Sequence, residues 1–399
     1  MNPPPGPSEA ARRLAVSGRT PRHFYIHLPY CERICPYCDF STAVGAGADA
    51  EAFLEALTAE IELLGEAGLL EGCRGGAEEG TLFLGGGTPS WFGPEGLAIL
   101  LERLGNCLAP PSGWSEATLE MNPEHADPRR MEVLRTGGIT RLSLGAQSFH
   151  DRTLRRLGRV HRAGHITGAA RLAASYGLHF SFDLIFAVPG QTLEGWLADL
   201  DRALAEGPHH ISLYDLTYEE GTPFHRWRSS GRLRPLPEEW EAEAYALAVG
   251  CLREAGYGRY EVSNFARPGF ASIHNRAYWS GEDYLGIGPS AHSLLAGMRT
   301  ANRFGVEEWM EALREGEVPW SSVEVLDGET RTRERIMLGL RTAEGFALEE
   351  IPEDSRDGVR ASGDRLAERG LARWVGGDRL VLTDEGMLVA DAAVAAVAP

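Results

Sequence analysis

The chain has 399 residues, 43% of them apolar, and sets 39 basic against 57 acidic side chains for a formal charge of −18. That length holds at least one large core and suits two or three domains, and the acidic balance disfavours nucleic acid or an anionic membrane as a partner held by nonspecific attraction. The sequence has no apolar run long enough to span a membrane, and "MNPPPGPSEAARRLAVSGRT" lacks the apolar stretch of a secretion signal, so residues 1–20 read as a disordered lead and the protein as cytoplasmic.

From residue 21 to 236, short β-rich runs alternate with amphipathic stretches. The strands are "FYIHL" (24–28), "TLFLGG" (81–86), "ATLEM" (117–121), "RLSLGAQ" (141–147), "FSFDLIF" (180–186) and "HISLYDL" (210–216). Between them, "DAEAFLEALTAEIELLGEAG" spaces Phe53, Leu54, Leu57, Ile61 and Leu64 along one helical face, and similar patterns fill 95–108, 127–136, 150–176 and 193–205. Strand–helix alternation predicts a parallel sheet with right-handed crossovers. The fold class is α/β, a partial (β/α)6 barrel, since these strands fall short of the number that closes a full one. A flat doubly wound sheet gives the same alternation. The barrel is preferred because polar or glycine residues follow nearly every strand at its C-terminal end, where barrel loops build sites.

Residues 237–256 begin a further segment, extending to 329, with another helix and then an aromatic, glycine-rich stretch. The tail, 330–399, reads as two helices followed by "LARWVGGDRLVLTDEG", whose Gly-Gly-Asp between apolar runs signals a hairpin. It is expected to be a winged-helix-like unit that packs against the barrel; its mixed charge argues against DNA binding.

Of the six cysteines, Cys31, Cys35 and Cys38 fall within eight residues, in "HLPYCERICPYCDF". Cys73, Cys107 and Cys251 stand alone and receive no role. Three thiolates on one short loop can converge on a metal or cluster. A structural zinc site normally wants four ligands, often as two separated pairs, and neither a second Cys-x-x-Cys nor a nearby histidine completes one. A 4Fe-4S cluster on three cysteines leaves one iron open to a substrate or cofactor.

Cys31-x3-Cys35-x2-Cys38, with Tyr37 just before the last cysteine and a strand just before the loop, resembles the signature of the radical S-adenosylmethionine (SAM) superfamily. The resemblance implies that the open iron chelates the amino and carboxylate groups of SAM, whose reductive cleavage gives a 5′-deoxyadenosyl radical. It also implies a SAM pocket built from Tyr25, Tyr37, Gly86, Gly87 and Thr88 of "GGGTP", Glu120 of "LEMNPE", Gln147 of "GAQSF", Arg159 of "LGRVH", Asp183 of "FDLIF" and Leu216. A charge at the interior end of a strand is costly unless paired, which favours a ligand role for Asp183.

From about residue 22 to about residue 390 the motifs resemble the coproporphyrinogen III oxidase family. One branch decarboxylates two propionates and carries a further cysteine two positions after the last ligand; here that position is Phe40. The other branch, the heme chaperones, has phenylalanine there and a downstream His-Asn-x-x-Tyr-Trp, which this chain shows as His274-Asn275-Arg276-Ala277-Tyr278-Trp279. That branch implies heme as a third bound group, with no assigned catalytic residue. An imidazole is a common axial iron ligand and aromatic faces suit a macrocycle, so His274, Tyr278 and Trp279 are the heme candidates. His292 is a second candidate ligand and Arg276 a propionate partner. The implied partners are a heme-acceptor protein, with a transiently contacted membrane protein among the candidates, and an electron donor such as flavodoxin or ferredoxin. The decarboxylating oxidase is the alternative.

Overall fold

The computed structural model describes residues 5–46, 49–71, 80–108 and 113–398; Cys73 lies outside the described residues. The chain divides into two units, Met1–Pro237 with Asp283–Val325, and Glu238–Glu282 with Leu326–Pro399. The stretch 237–329, read from sequence as one segment, is thus shared between them. Among the described residues no helix is long and apolar enough to cross a membrane.

In the first unit, strands β1 (His23–Leu28), β2 (Thr81–Gly86), β3 (Glu116–Met121), β4 (Arg141–Gln147), β5 (His179–Phe186) and β6 (His210–Asp215) lie side by side in chain order. Every neighbouring pair is parallel, and β1 is paired with β2 from His23↔Thr81 to Leu28↔Gly86. Helices follow the strands, as in Asp49–Glu66, Gly93–Cys107, Pro128–Thr136 and Leu193–Ala205. Strands covered on both faces need apolar side chains throughout, and Ile26, Leu84, Leu119, Leu144, Phe182 and Leu213 are fully buried. The predicted helix 150–176 is two, Asp151–Arg156 and Ala163–Ser175. They are separated at Gly158, whose φ of 74° ends the first one.

The sheet runs past its predicted edge. A seventh parallel strand, β7 (Tyr284–Ile287), pairs with β1, and β8 (His292–Leu295), β9 (Met298–Asn302) and β10 (Trp320–Val325) continue antiparallel. Sequence reading missed β7 because it is four residues long and carries Gly286, where a Cβ would stand 2.1 Å from the His292 carbonyl oxygen. The expected disordered lead is corrected too: Pro7–Val16 is a helix with Ala10, Ala11 and Leu14 buried. Its small apolar face and the proline-rich start concealed it.

In the second unit, helices Glu238–Glu254 and Ile273–Ser280 accompany a tail with helices Gly328–Leu340 and Glu353–Glu368. An antiparallel sheet of Phe346–Ala347, Arg379–Leu382 and Ala372–Val375 completes a winged-helix-like arrangement. The hairpin turns at Gly376 and Gly377, with φ of 64° and 91°, which side chains other than glycine rarely adopt. Its core holds Ile336, Leu340, Phe346, Val359 and Leu380.

Two buried polar arrangements hold the first unit. Glu60, on the helix after the cysteine loop, is 0% exposed and accepts from Gly288 N–H at 2.8 Å, Asn302 Nδ2 at 2.6 Å and Trp309 Nε1 at 2.8 Å. It ties that helix to the extension of the sheet; burial pushes its carboxyl up to about 7. At the opposite, N-terminal ends of the strands sits a polar layer. His23 Nδ1 lies 2.9 Å from Thr81 Oγ1, and Arg141 lies 3.8 Å from Glu116 with His179 and His210 nearby.

Glu60→Ala strands three buried donors, and we expect a loss of about 3 kcal/mol or more of stability, read from urea unfolding. Burial and Arg141 depress the imidazoles of His179 and His210. Below the ordinary histidine value of 6.5 the unfolded chain takes up protons that the folded chain refuses, so stability is full above that pH and falls as pH drops. His210→Gln should flatten the fall between wild type and variant; parallel pH–stability curves would refute this.

Candidate functional site at the mouth of the parallel strands

The C-terminal ends of the strands open on a cavity of about 390 Å³, within the size range of small-molecule sites. The cysteine loop leaves β1 and is pinned at its stem. Tyr30–Cys31 pairs in parallel with Ala43–Val44, and Cys38 N–H donates to the Cys35 carbonyl at 3.1 Å. The "GGGTP" turn after β2 closes on that stem: Gly87 N–H donates to Leu28 O at 2.8 Å and Thr88 N–H to Tyr30 O at 2.9 Å. A Cβ on Gly87 would stand 2.5 Å from the Pro29 oxygen, and Gly86 has φ 110°. The glycines are needed to let two backbones meet.

All three thiols are partly buried and line the cavity. Cys31 Sγ is 3.2 Å from Thr88 Oγ1, and Arg159 Nη1 is 3.5 Å from Cys35 Sγ. Arg159 is itself held by Asn122 Oδ1 and, at 3.4 Å, by the Gly145 carbonyl. Burial raises the Cys31 thiol and pushes Cys38 up to about 11. As thiolates these sulfurs need a strong positive partner, which a metal centre supplies. Among the described residues no set of three Cys, His, Asp or Glu side chains is gathered as a single-ion site. Three cysteines on one short loop at the cavity suit an iron–sulfur cluster.

Part of the cavity lining is acidic. Glu120 Oε2 accepts from Gly86 N–H at 3.1 Å, and Asp183 Oδ2 accepts from Ser143 Oγ at 2.9 Å. Burial, together with the charge on Asp183, pushes Glu120 up to about 8; burial raises Asp183 as well. Two half-buried carboxyls facing one cavity favour a cationic ligand, and a sulfonium carrying an amino group is one. Gln147 adopts φ 64°, a left-handed conformation rare for its type, where the β4–β5 ladder shifts register. Such strain collects at functional sites.

Of the residues singled out from sequence, Tyr37, Gly86, Gly87, Thr88, Glu120, Gln147, Arg159, Asp183 and Leu216 line this cavity with the three cysteines. Tyr25 is not among the lining residues: its hydroxyl lies 3.1 Å from His27 Nδ1 and its ring stacks on Phe83. Ser143 and Ile185 also line the cavity; they fall within quoted motifs but were not singled out as site residues. The one available signal was the polar break that Ser143 makes in the apolar run of β4. His274, Tyr278 and Trp279 belong to the second unit. There His274 is 1% exposed, its ring edge-on to Tyr278 at 4.6 Å, while Arg276 approaches Glu344 at 3.7 Å.

The sequence profile of the radical SAM superfamily matches residues 25–203. The heme chaperone HemW of Mycobacterium tuberculosis is 36% identical over 387 residues, 96% of each chain. That of Bacillus subtilis is 34% identical over 316 residues, covering 79% of this chain and 82% of the relative. The chain belongs to the HemW family of radical SAM proteins. In fold it is similar to the radical SAM enzyme coproporphyrinogen III oxidase (HemN) from Escherichia coli, with a TM-score of 0.82 and 20% identity over 98% of this chain and 92% of that one. A radical SAM domain implies a 4Fe-4S cluster and SAM, and the three thiols and the acidic wall suit that pair.

Glu120→Gln keeps the size of the side chain and removes the carboxylate that a bound cation would stabilise. We expect SAM to bind the cluster-loaded variant about tenfold more weakly, by equilibrium dialysis, with iron and sulfide content unchanged. Equal affinity would remove Glu120 from the SAM pocket.

Proposed function

We propose that the chain is a heme chaperone, which binds heme and passes it to an acceptor protein. In this reading Cys31, Cys35 and Cys38 hold a 4Fe-4S cluster with one open iron. SAM occupies the adjacent pocket, where the cluster would supply an electron for cleavage of the sulfonium. Phe40 carries the choice of branch. It stands where the decarboxylating oxidases have a further cysteine, it lines the cavity, and its ring is 64% exposed. The names of the HemW relatives, and the near full-length match of the one from Mycobacterium tuberculosis, support the same reading.

His274 remains the proposed axial ligand of heme, and its burial attaches a condition. An iron reaches the imidazole only if the eight-residue helix Ile273–Ser280 shifts, and that helix ends on Gly281 in the left-handed region. His292, at the start of β8, is exposed and serves as the comparison.

Cluster-reconstituted protein should retain added heme with a Soret band that His274→Ala alters and His292→Ala does not. An unchanged spectrum in His274→Ala would sink that ligand. Anaerobic incubation with coproporphyrinogen III, SAM and reductant should give no vinyl product; turnover there would replace the chaperone reading with the oxidase.

A further inference from the structure

Within a chain of charge −18, a run that follows β6 carries exposed basic side chains and no acidic one. The run "PFHRWRSSGRLRPLP", residues 223–237, holds Arg226, Arg228, Arg232 and Arg234 and no acidic side chain. All four arginines are exposed. Arg226 donates to the Gly221 carbonyl at 2.7 Å, while Arg228 lies over the Tyr218 ring at 5.1 Å and Arg232 over Trp227 at 5.0 Å. Glu219 and Glu220 precede the strip in sequence, and Glu238 and Glu239 follow it.

The aromatic rings beneath the strip lead inward. Trp227 is 5.5 Å from Phe224, and Phe224 is 6.1 Å from Tyr37, the neighbour of Cys38. Phe224 N–H donates to the Pro36 carbonyl at 3.0 Å, which fixes helix Pro223–Ser229 to the cysteine loop. Leu157, Leu216 and Phe224 form one buried cluster with Tyr37, Tyr218 and Trp227 packed on it. The basic strip is therefore the outer end of a continuous packed layer whose inner end carries Cys35 and Cys38.

Three kinds of acidic partner could answer such a strip. A membrane surface would need an apolar anchor, yet Phe224 is 0% exposed and the strip presents no exposed large apolar side chain. Single-stranded nucleic acid would need free aromatic faces for stacking, and arginines already cover Tyr218 and Trp227. A folded acidic protein needs neither. Such a partner is repelled by most of this surface, so a local basic strip both attracts and orients it.

We infer that residues 226–234 form the docking surface for a small acidic one-electron donor of the ferredoxin type, serving the cluster of the preceding proposal, on which this inference rests. One electron leaves the donor's iron–sulfur centre, which is thereby oxidised. The same electron enters the cluster at Cys31, Cys35 and Cys38, which is reduced by one; no bond is made and no proton moves.

The test uses the full chain, the double reversal Arg228→Glu with Arg232→Glu, and the charge-keeping double change Arg228→Lys with Arg232→Lys. Binding of an acidic ferredoxin is measured by calorimetry across a salt series, and cluster reduction is followed with reduced ferredoxin and, separately, with dithionite. The reversal should weaken ferredoxin binding about tenfold or more at low ionic strength, with the gap closing as salt screens the charges. The lysine variant should stay near the parent, and dithionite should reduce all three alike. Absent binding, or equal affinity for parent and reversal, overturns the inference. Arginine-dependent binding of phosphatidylserine vesicles with no ferredoxin binding would assign the strip to a membrane instead. A chain that dithionite cannot reduce would refute the cluster, while the calorimetric comparison still decides the docking surface.

Discussion

The close meeting of two backbones, the turn after β2 against the stem of the cysteine loop, is the constraint on which the site depends. Gly87 and Thr88 donate to the carbonyls of Leu28 and Tyr30, and no side chain fits between Gly87 and Pro29. This contact fixes where Cys31 sits and sets its sulfur beside Thr88. It also extends the parallel pairing of β1 with β2 past its last register pair, Leu28↔Gly86, so the loop inherits the rigidity of the sheet. A site carried by a loop gains its precision from such a scaffold.

From that anchor the chemistry of the cavity follows as an imbalance of solvation. Thiols and carboxyls share one cavity, and burial pushes Cys31, Cys38, Glu120 and Asp183 toward their neutral forms. In the absence of positive charge the pocket holds groups in the wrong protonation state for coordination. The cluster and sulfonium that a radical SAM domain implies would supply such charge together, and the cysteines and acids of this cavity suit that pair. Arg159 is the one cation among the SAM-pocket candidates; Asn122 and Gly145 hold it beside Cys35, within electrostatic reach of Asp183.

The site stands on two polar frameworks that contribute no chemistry. Glu60 gathers donors from Gly288, Asn302 and Trp309, joining the helix after the cysteine loop to strands far along the chain. At the other end of the strands, Glu116, Arg141, His23 and His210 form a buried polar floor, with His179 exposed at its rim. Buried carboxylates and imidazoles are costly unless bonded, and full bonding makes them specific: each arrangement accepts one register of the strands around it. Neither could be read in advance, because each residue looks ordinary until its distant partners are known.

The sequence by itself determined the six strands from His23 to Asp215, because strands covered on both faces must be continuously apolar and such runs stand out. It also determined the cysteine loop and the glycine turn, whose residue types follow from local needs: thiolate spacing on a short loop and backbone freedom at close approach. Only the tertiary structure decided that 284–325 extends the same sheet, that Tyr25 is not among the residues around the cavity, and that His274 is buried in the second unit. Those facts rest on which distant segments meet, and a four-residue strand with glycine or a histidine beside two aromatics has the same local appearance whichever partner it finds.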